Sequence, residues 1–539
     1  MTIVVRVRPE GWKGPGNGRA GGITQWTVAG CEEWTVKIAM VQSIRNLTLS
    51  PNGQLQYSLL QAKGRYAMTF GAIGYGMLHV ATVLAAKHDV SVYSLPGAVL
   101  SNDMSAALQG ILGSDVVGIQ LNWGLETVGA LAFAEYVKKH SMAKIVIGGT
   151  HASLFADTIA RYPAVDYVIR GEAEQAMTAL VHDIEEGRLD SSVPGVVSKT
   201  RDNGIGVFCG DIDELPPYDL SLVKTPLQLS VPFAVNRVRG TCNIACPYCL
   251  GGFISRINGR KKLAFHSPAW IARQVAMLQE FSPGNIAFQD EAWLSLCHDR
   301  SYLTEVADEL VREGSVNDVP FGIVDNAPPI YSEEVLESLA RANVTVIDYG
   351  CESGSDRVLH DMRRPYDVER MQQTISSTYR LGMIPGTWWM VGFPREEQAD
   401  LDLTEEAIRR TTGAGGFPYW VTPVYVVPGT PLFDEPTAYG LQLFWNTFED
   451  YAEMSRMDYE VVRTGDYARW VTHATDSLSR EQIVASATRM RQVIQDSECT
   501  IVGNLAGMKS RFLELHPKFP AEQYDRFSGS VSRIWDSLF

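Results

Sequence analysis

The chain has 539 residues, 45% hydrophobic and 20% charged, which excludes collagen, extended disorder and a long coiled coil. A formal charge of −15 argues against nucleic acid as the main partner, since a polyanion seeks a basic surface. No apolar run approaches the ~20 residues that span a bilayer, and the first residues lack a secretory pattern, so we expect a cytoplasmic protein of several domains.

Residues 1–33 have no hydrophobic period and many breakers, among them Gly14-Pro15-Gly16, and are expected to be peripheral. From residue 34, short apolar runs alternate with amphipathic stretches. Strands are expected at Val36–Val41, Val90–Tyr93, Val116–Leu121 and Lys144–Ile147, with Tyr167–Ile169 as the last. Helices are expected at Tyr75–Lys87, Asp103–Ile111, Thr127–Lys139 and Leu154–Arg161. This pattern predicts a doubly wound parallel sheet over residues 34–190. Two glycine turns follow strands, Gly148-Gly149-Thr150-His151 and Gly171-Glu172. In open α/β sheets ligands bind beyond the carboxyl ends of the strands, so a ligand is expected there. The alternative is that these glycines only make tight turns.

Residues 191–229, with Leu215-Pro216-Pro217-Tyr218, read as a linker. A second series follows over 230–434, with strands at Phe233–Val238, Asn285–Phe288, Phe321–Val324, Val344–Tyr349, Thr387–Val391 and Trp420–Val426. Helices separate them, as at Ser267–Glu280, where Ser267 caps and Pro268 takes the first turn. The series predicts an open, partial (β/α)6 barrel. Residues 435–539 look mostly helical.

Of the eight cysteines, five (Cys31, Cys209, Cys297, Cys351, Cys499) are scattered and three sit together. The run Arg239-Gly240-Thr241-Cys242-Asn243-Ile244-Ala245-Cys246-Pro247-Tyr248-Cys249 follows a predicted strand. This is the pattern of a reduced protein with one metal site rather than a disulfide framework. Thiolates spaced C-x3-C-x2-C can ligate three irons of one cluster and leave the fourth open to a chelating substrate. Zinc is the alternative, with His266 or Cys297 folding in as a fourth ligand.

The Cys242, Cys246, Cys249 motif, with Tyr248 before the last cysteine, resembles that of the radical S-adenosylmethionine (SAM) superfamily. The resemblance implies a 4Fe–4S cluster on those cysteines. It also implies SAM bound through the open iron and cleaved by one electron to a 5′-deoxyadenosyl radical. Other segments match. Gln289-Asp290-Glu291 ends the second barrel strand, where relatives carry groups near the SAM amino end. Gly350-Cys351-Glu352-Ser353-Gly354 resembles the segment associated with the SAM ribose. Gly392-Phe393-Pro394 and Pro428-Gly429-Thr430-Pro431-Leu432 follow the last two strands. Tyr248, Asp290, Glu291, Glu352 and Ser353 are thus the expected SAM-side residues. A cationic ammonium and ribose hydroxyls need acceptors at such strand ends.

The first half resembles the cobalamin-binding domain that precedes the barrel in one large subgroup. Gly148-Gly149-Thr150-His151-Ala152-Ser153 and Ala164-Val165-Asp166-Tyr167-Val168-Ile169-Arg170-Gly171-Glu172 carry that likeness. It implies cofactor contacts at Gly148, Gly149, Thr150, Gly171 and Glu172. One departure matters: the Asp-x-His-x-x-Gly motif that gives cobalt an axial histidine is absent. His79, for example, has Met77 and Thr82 at the required positions. His151 reads as a turn histidine with its hydrogen bonds satisfied.

The resemblance implies a cobalamin-dependent radical SAM methyltransferase fed by an external one-electron donor. One SAM would make methylcobalamin; a second would yield the radical that opens an unactivated carbon or phosphorus centre to methyl transfer. The expected substrate is a small natural-product intermediate, with P-methylation in a phosphinothricin-type antibiotic pathway as the sharpest candidate. Arg237, Arg239, Arg363 and Arg364 could meet an anionic substrate, but each reads first as a surface salt bridge. The rivals are a radical SAM ring rearrangement or cyclisation and a non-catalytic cobalamin or cluster sensor. A methylthiotransferase is disfavoured because the first half holds only Cys31.

Overall fold

The computed structural model describes residues 35–515 apart from 46, 58–72, 226–232, 282–285, 289, 291–300, 315–322, 328, 457–467 and 469, together with 522. The peripheral segment 1–33, Cys31, Glu291 and Cys297 therefore lie outside the described residues.

The first sheet contains β1 (Lys37–Gln42), β2 (Asp89–Ser94), β3 (Val116–Gln120), β4 (Lys144–Gly148), β5 (Tyr167–Ile169) and β6 (Val196–Val197). Their spatial order is β2-β1-β3-β4-β5-β6, parallel up to β5. Along β1 the pleat sends Ile38 and Met40 to one core and Ala39 and Val41 to the other. Burial on both faces explains the continuous apolar runs. The order reverses between β1 and β3, which opens a crevice at their carboxyl ends.

Three local details differ from the sequence expectation. Tyr167–Ile169 is not the last strand, because β6 pairs antiparallel with β5. That strand comes from the stretch read as a linker. The expected helix 154–161 is two short ones, Thr150–Leu154 and Ala156–Ala160, broken at Phe155 with φ −119° and ψ 30°. There the Phe155 ring packs against His151, Phe448 and Tyr451, a tertiary contact no local pattern signals. A further helix, Ala173–Glu185, buries Ala176, Met177, Leu180 and Val181 on one stripe.

The second sheet is β7 (Phe233–Val235), β8 (Ile286–Phe288), β9 (Ile323–Ala327), β10 (Val344–Glu352), β11 (Ile384–Val391) and β12 (Phe417–Pro423). These six strands are parallel and neighbour one another in chain order, the topology of a partial (β/α)6 barrel. The expected strand 233–238 stops at Val235. Val238–Arg239 pairs instead with Ala264–Phe265, because Arg237 turns inward to an acid on β8. Ser267 Oγ accepts from the Trp270 amide at 3.2 Å, as its capping position predicts.

Residues between the domains are built into both. The Trp270 indole donates to the Leu215 carbonyl (2.7 Å), and the Tyr218 hydroxyl to the Ala234 carbonyl (3.0 Å). After the barrel, Leu441–Leu443 pairs with His473–Thr475, and helices Arg480–Asp496 and Glu498–Leu515 follow. The first of these covers β11 and β12. No helix among the described residues is long and apolar enough to cross a membrane.

Candidate active site

The thiol loop begins at Gly240, where φ is +121° and a Cβ would stand 2.4 Å from the Lys262 carbonyl oxygen. Only glycine fits there. The Cys242 amide donates to the Gly251 carbonyl (2.9 Å) and the Cys249 amide to the Cys246 carbonyl (3.0 Å), which closes the loop on itself. Ala245 holds a left-handed φ of +50° between the first two cysteines. That conformation costs a non-glycine residue about 1–2 kcal/mol, so the closed loop must impose it. Cys246 is buried, Cys242 half-buried and Cys249 exposed.

Among the described residues, no three His, Cys, Asp or Glu side chains are gathered tightly enough to hold one metal ion. This disfavours a single tetrahedral zinc, whose ligands crowd one coordination sphere. A cubane takes one thiolate at each of three separate irons, which this donor set fits. His266 is not a spare ligand: its Nδ1 lies 3.0 Å from Asp213, and its ring stacks on Trp270 at 3.6 Å.

Behind Cys246 stands a buried cation. Arg364 donates from Nη1 to Cys246 Sγ (3.6 Å), from Nη2 to Glu352 Oε1 (2.9 Å) and the Gly350 carbonyl (2.9 Å), and from Nε to the Tyr366 hydroxyl (3.1 Å). It was expected as a surface residue. Its side chain is only 2% exposed, because the turn after β10 folds it under the thiol loop. Glu352 ends β10 with φ +64°, a strained conformation for a glutamate and one that aims its carboxylate at Arg364. Burial pushes the Glu352 carboxyl up, and Arg364 opposes the rise. Tyr248, also buried, lies edge-on to Phe393 at 5.4 Å. Cys246, Tyr248 and Glu352 thus meet around one guanidinium.

The other nominated residues divide. Ser353 is buried within 3.2 Å of Thr404 Oγ1 and accepts from the Ser355 amide, so its hydroxyl serves the turn. Asp290 is claimed by Arg237, which donates from its amide (2.7 Å), Nε (3.0 Å) and Nη2 (2.7 Å). Arg237 is thereby buried, not on the surface. Glu172 faces Arg260 and Arg239 rather than the ligand edge. Gly171 (φ +93°) lets the chain pass the thiol domain, since a Cβ would meet the Ile257 carbonyl oxygen at 2.9 Å. Gly148, Gly149 and Thr150 do form the carboxyl edge of β4, and the Thr150 amide donates to Asn122 Oδ1 (3.3 Å).

That edge holds polar groups the sequence did not single out. Ser94 Oγ donates to Gln42 Oε1 (2.8 Å), and the Gly74 amide to Gln120 Oε1 (3.0 Å). Ser43 Oγ after β1, Thr127 Oγ1 after β3 and His151 Nε2 after β4 are buried without a hydrogen-bond partner. His151 is therefore not the satisfied turn histidine expected, and burial lowers its pKa to about 4, keeping it neutral. Buried polar atoms at a switch-point crevice fit a large polar cofactor bound there. The signal was weak in the sequence because Gln42, Ser43 and Gln120 lie in no motif.

Glu396, after β11, offers a test of the barrel rim. Its Oε2 accepts from the Gly392 (2.6 Å) and Phe393 (3.2 Å) amides, while Oε1 is buried unpaired. Burial raises its pKa from 4.5 to about 8. A raised acid stabilises the fold fully below its unfolded value, and that contribution is lost as pH rises through the folded one. Glu396→Gln keeps an accepting oxygen and cannot ionise. Relative to the native protein it should gain about 3–5 kcal/mol between pH 5 and pH 9, at roughly 1.4 kcal/mol per pKa unit. Urea unfolding at both pH values measures this, and parallel native and variant profiles would contradict it.

Two families match successive parts of the chain: the B12 binding domain over residues 72–181 and the radical SAM superfamily over 238–408. Uncharacterized methyltransferase PH0819 of Pyrococcus horikoshii is 22% identical over 342 residues, 61% of this chain and 71% of that protein. Anaerobic magnesium-protoporphyrin IX monomethyl ester cyclase of Rubrivivax gelatinosus is 21% identical over 279 residues, 49% of this chain and 48% of that protein, so the chain spans about half its length. Among solved structures, the radical SAM methyltransferase TsrM from Kitasatospora setae, with tryptophan substrate and a SAM analogue bound, superposes with a TM-score of 0.62. Its identity is 14%, and 86% of this chain and 89% of that one are covered. OxsB, a cobalamin-dependent SAM radical enzyme with aqua-cobalamin and SAM bound, gives 0.59 at 11% identity, covering 94% and 84%.

The fold and the thiol loop define a radical SAM enzyme. More particularly, the chain belongs to the branch of that superfamily with a B12-binding domain ahead of the barrel, and its cofactors are a 4Fe–4S cluster, SAM and cobalamin.

Proposed function

We propose that this radical SAM methyltransferase places a methyl group on an unactivated carbon or phosphorus centre of a small natural-product intermediate. When bound, the cluster with SAM supplies a hydrogen-abstracting radical and cobalamin supplies a methyl group. The observation that carries the reading is that the carboxyl edge of the first sheet abuts the thiol domain. Gly171 touches Ile257 and Asn258, and a Cβ on Gly429 would meet Leu154 at 3.1 Å. Two cofactor sites so placed can serve one substrate.

Cys242, Cys246 and Cys249 hold the cluster. Glu352 offers a carboxylate to the cationic or hydroxyl groups of SAM, and Tyr248 sets its position from the thiol loop. Tyr248, Phe393, Val424 and Val426 form an apolar wall beside the cysteines, which excludes water from a reactive radical. Gly148, Gly149 and Thr150, with Gln42, Ser43 and Gln120, line the corrin side. The candidate phosphinate substrate of a phosphinothricin-type pathway rests on resemblance and is tested directly, by the gain of one CH2 on a hydrogen-phosphinate.

Anaerobic protein incubated with SAM, a one-electron reductant and hydroxocobalamin should form both 5′-deoxyadenosine and S-adenosylhomocysteine. Absence of the first would remove the radical half of the reading. Absence of the second, with a substrate that changes bonding but not carbon count, would favour a cyclase. A protein that binds cobalamin or a cluster yet forms neither product would be a sensor.

A further inference from the structure

We propose that Glu172 and Glu174 are not cofactor ligands but, with Arg239 and Arg260, form a buried clamp that fixes the thiol loop against the first domain. Arg260 grips Glu172 as a fork, Nε to Oε1 at 2.7 Å and Nη2 to Oε2 at 2.9 Å. Arg239 donates from Nη1 to Glu174 Oε1 (2.8 Å) and lies 3.4 Å from Glu172 Oε2. All four side chains are 10% exposed or less. Two carboxylates balance two guanidiniums, so the group carries no net charge out of water.

The geometry ties both ends to cofactor-bearing segments. Glu172 and Glu174 open the helix that follows β5 at the carboxyl edge. Arg239 stands three residues before Cys242. The Arg260 carbonyl accepts from Thr241 Oγ1 (2.9 Å), and Arg260 Nη2 donates to the Cys209 carbonyl (2.6 Å). Buried ion pairs seldom add much stability over an apolar contact, but they do fix register. Register is what a transfer between two cofactors requires, since a misplacement of ~1 Å costs on the order of 100-fold in rate. These four are positioning residues: none touches a reacting atom. The inference rests on the two-cofactor reading above.

The test uses full-length protein carrying Glu174→Gln or, separately, Glu172→Gln. Hydrogen exchange without cofactors should rise about tenfold in residues 167–176 and 238–262, while β2 and β3 keep their protection. Glu174→Asp, which keeps the charge but shortens the reach, should fall between. After loading, the magnetic interaction between cob(II)alamin and the reduced cluster should weaken at unchanged iron and cobalt content. Unchanged exchange and interaction in both variants would overturn the clamp. So would loss of protection throughout the chain, which marks a general stability role, or loss of cobalamin from Glu172→Gln, which would make Glu172 a ligand. A native protein that takes up no cobalamin fails the cofactor reading instead, and the exchange data still decide the clamp.

Discussion

Cys246→Ala should leave reconstituted protein without the broad absorption of an iron–sulfur cluster and unable to form 5′-deoxyadenosine. Cys246 is the most enclosed of the three thiols, and its sulfur accepts from Arg364. Alanine removes one of three protein ligands and strands a buried guanidinium at once. A cubane with only two protein thiolates is not retained, so the loss should exceed a thousandfold in activity, with iron per chain falling in parallel. Iron and sulfide assays, with zinc measured on the same samples, check it. Native-like iron in the variant, or stoichiometric zinc in the native chain, would remove the foundation of the radical reading.

Arg364→Gln should cost the cofactor-free protein on the order of 3–5 kcal/mol, because it leaves the Glu352 carboxylate buried without its cation. Burial already pushes Glu352 up, and Arg364 is what opposes that. The double variant Arg364→Gln/Glu352→Gln should recover much of the loss, since a neutral amide pair tolerates burial. Urea unfolding of the four proteins measures the coupling. In the loaded enzyme, loss of a cationic donor to Cys246 Sγ should also move the cluster midpoint to more negative potential, readable by EPR-monitored titration. Additive single effects, or an unmoved midpoint, would show that Arg364 neither supports Glu352 nor reaches the cluster.

Much of this architecture was legible before any coordinates. Val116–Gln120 and Lys144–Gly148 are unbroken apolar runs because both faces of a parallel strand are buried, and six barrel strands appear near their expected places. Ser267 before Pro268 marked a helix start through local hydrogen bonding alone. Where the expectation slipped, the cause was distant. Phe155 breaks a helix to join rings contributed by residues 448 and 451. Val196–Val197 becomes a strand only because β5 offers an edge.

The amino-acid order alone determined the two-sheet plan and the thiol trio, because hydrophobic period and cysteine spacing are properties of neighbours along the chain. It could not decide which charges meet. Asp290 faces Arg237, Glu172 faces Arg260 and Glu352 faces Arg364, across separations of 53, 88 and 12 residues. An isolated arginine in a sequence reads as solvated, since burying it unpaired is prohibitive. Only the folded chain brings the carboxylate that makes burial tolerable, and with it the difference between a surface salt bridge and a cation beneath the cluster loop.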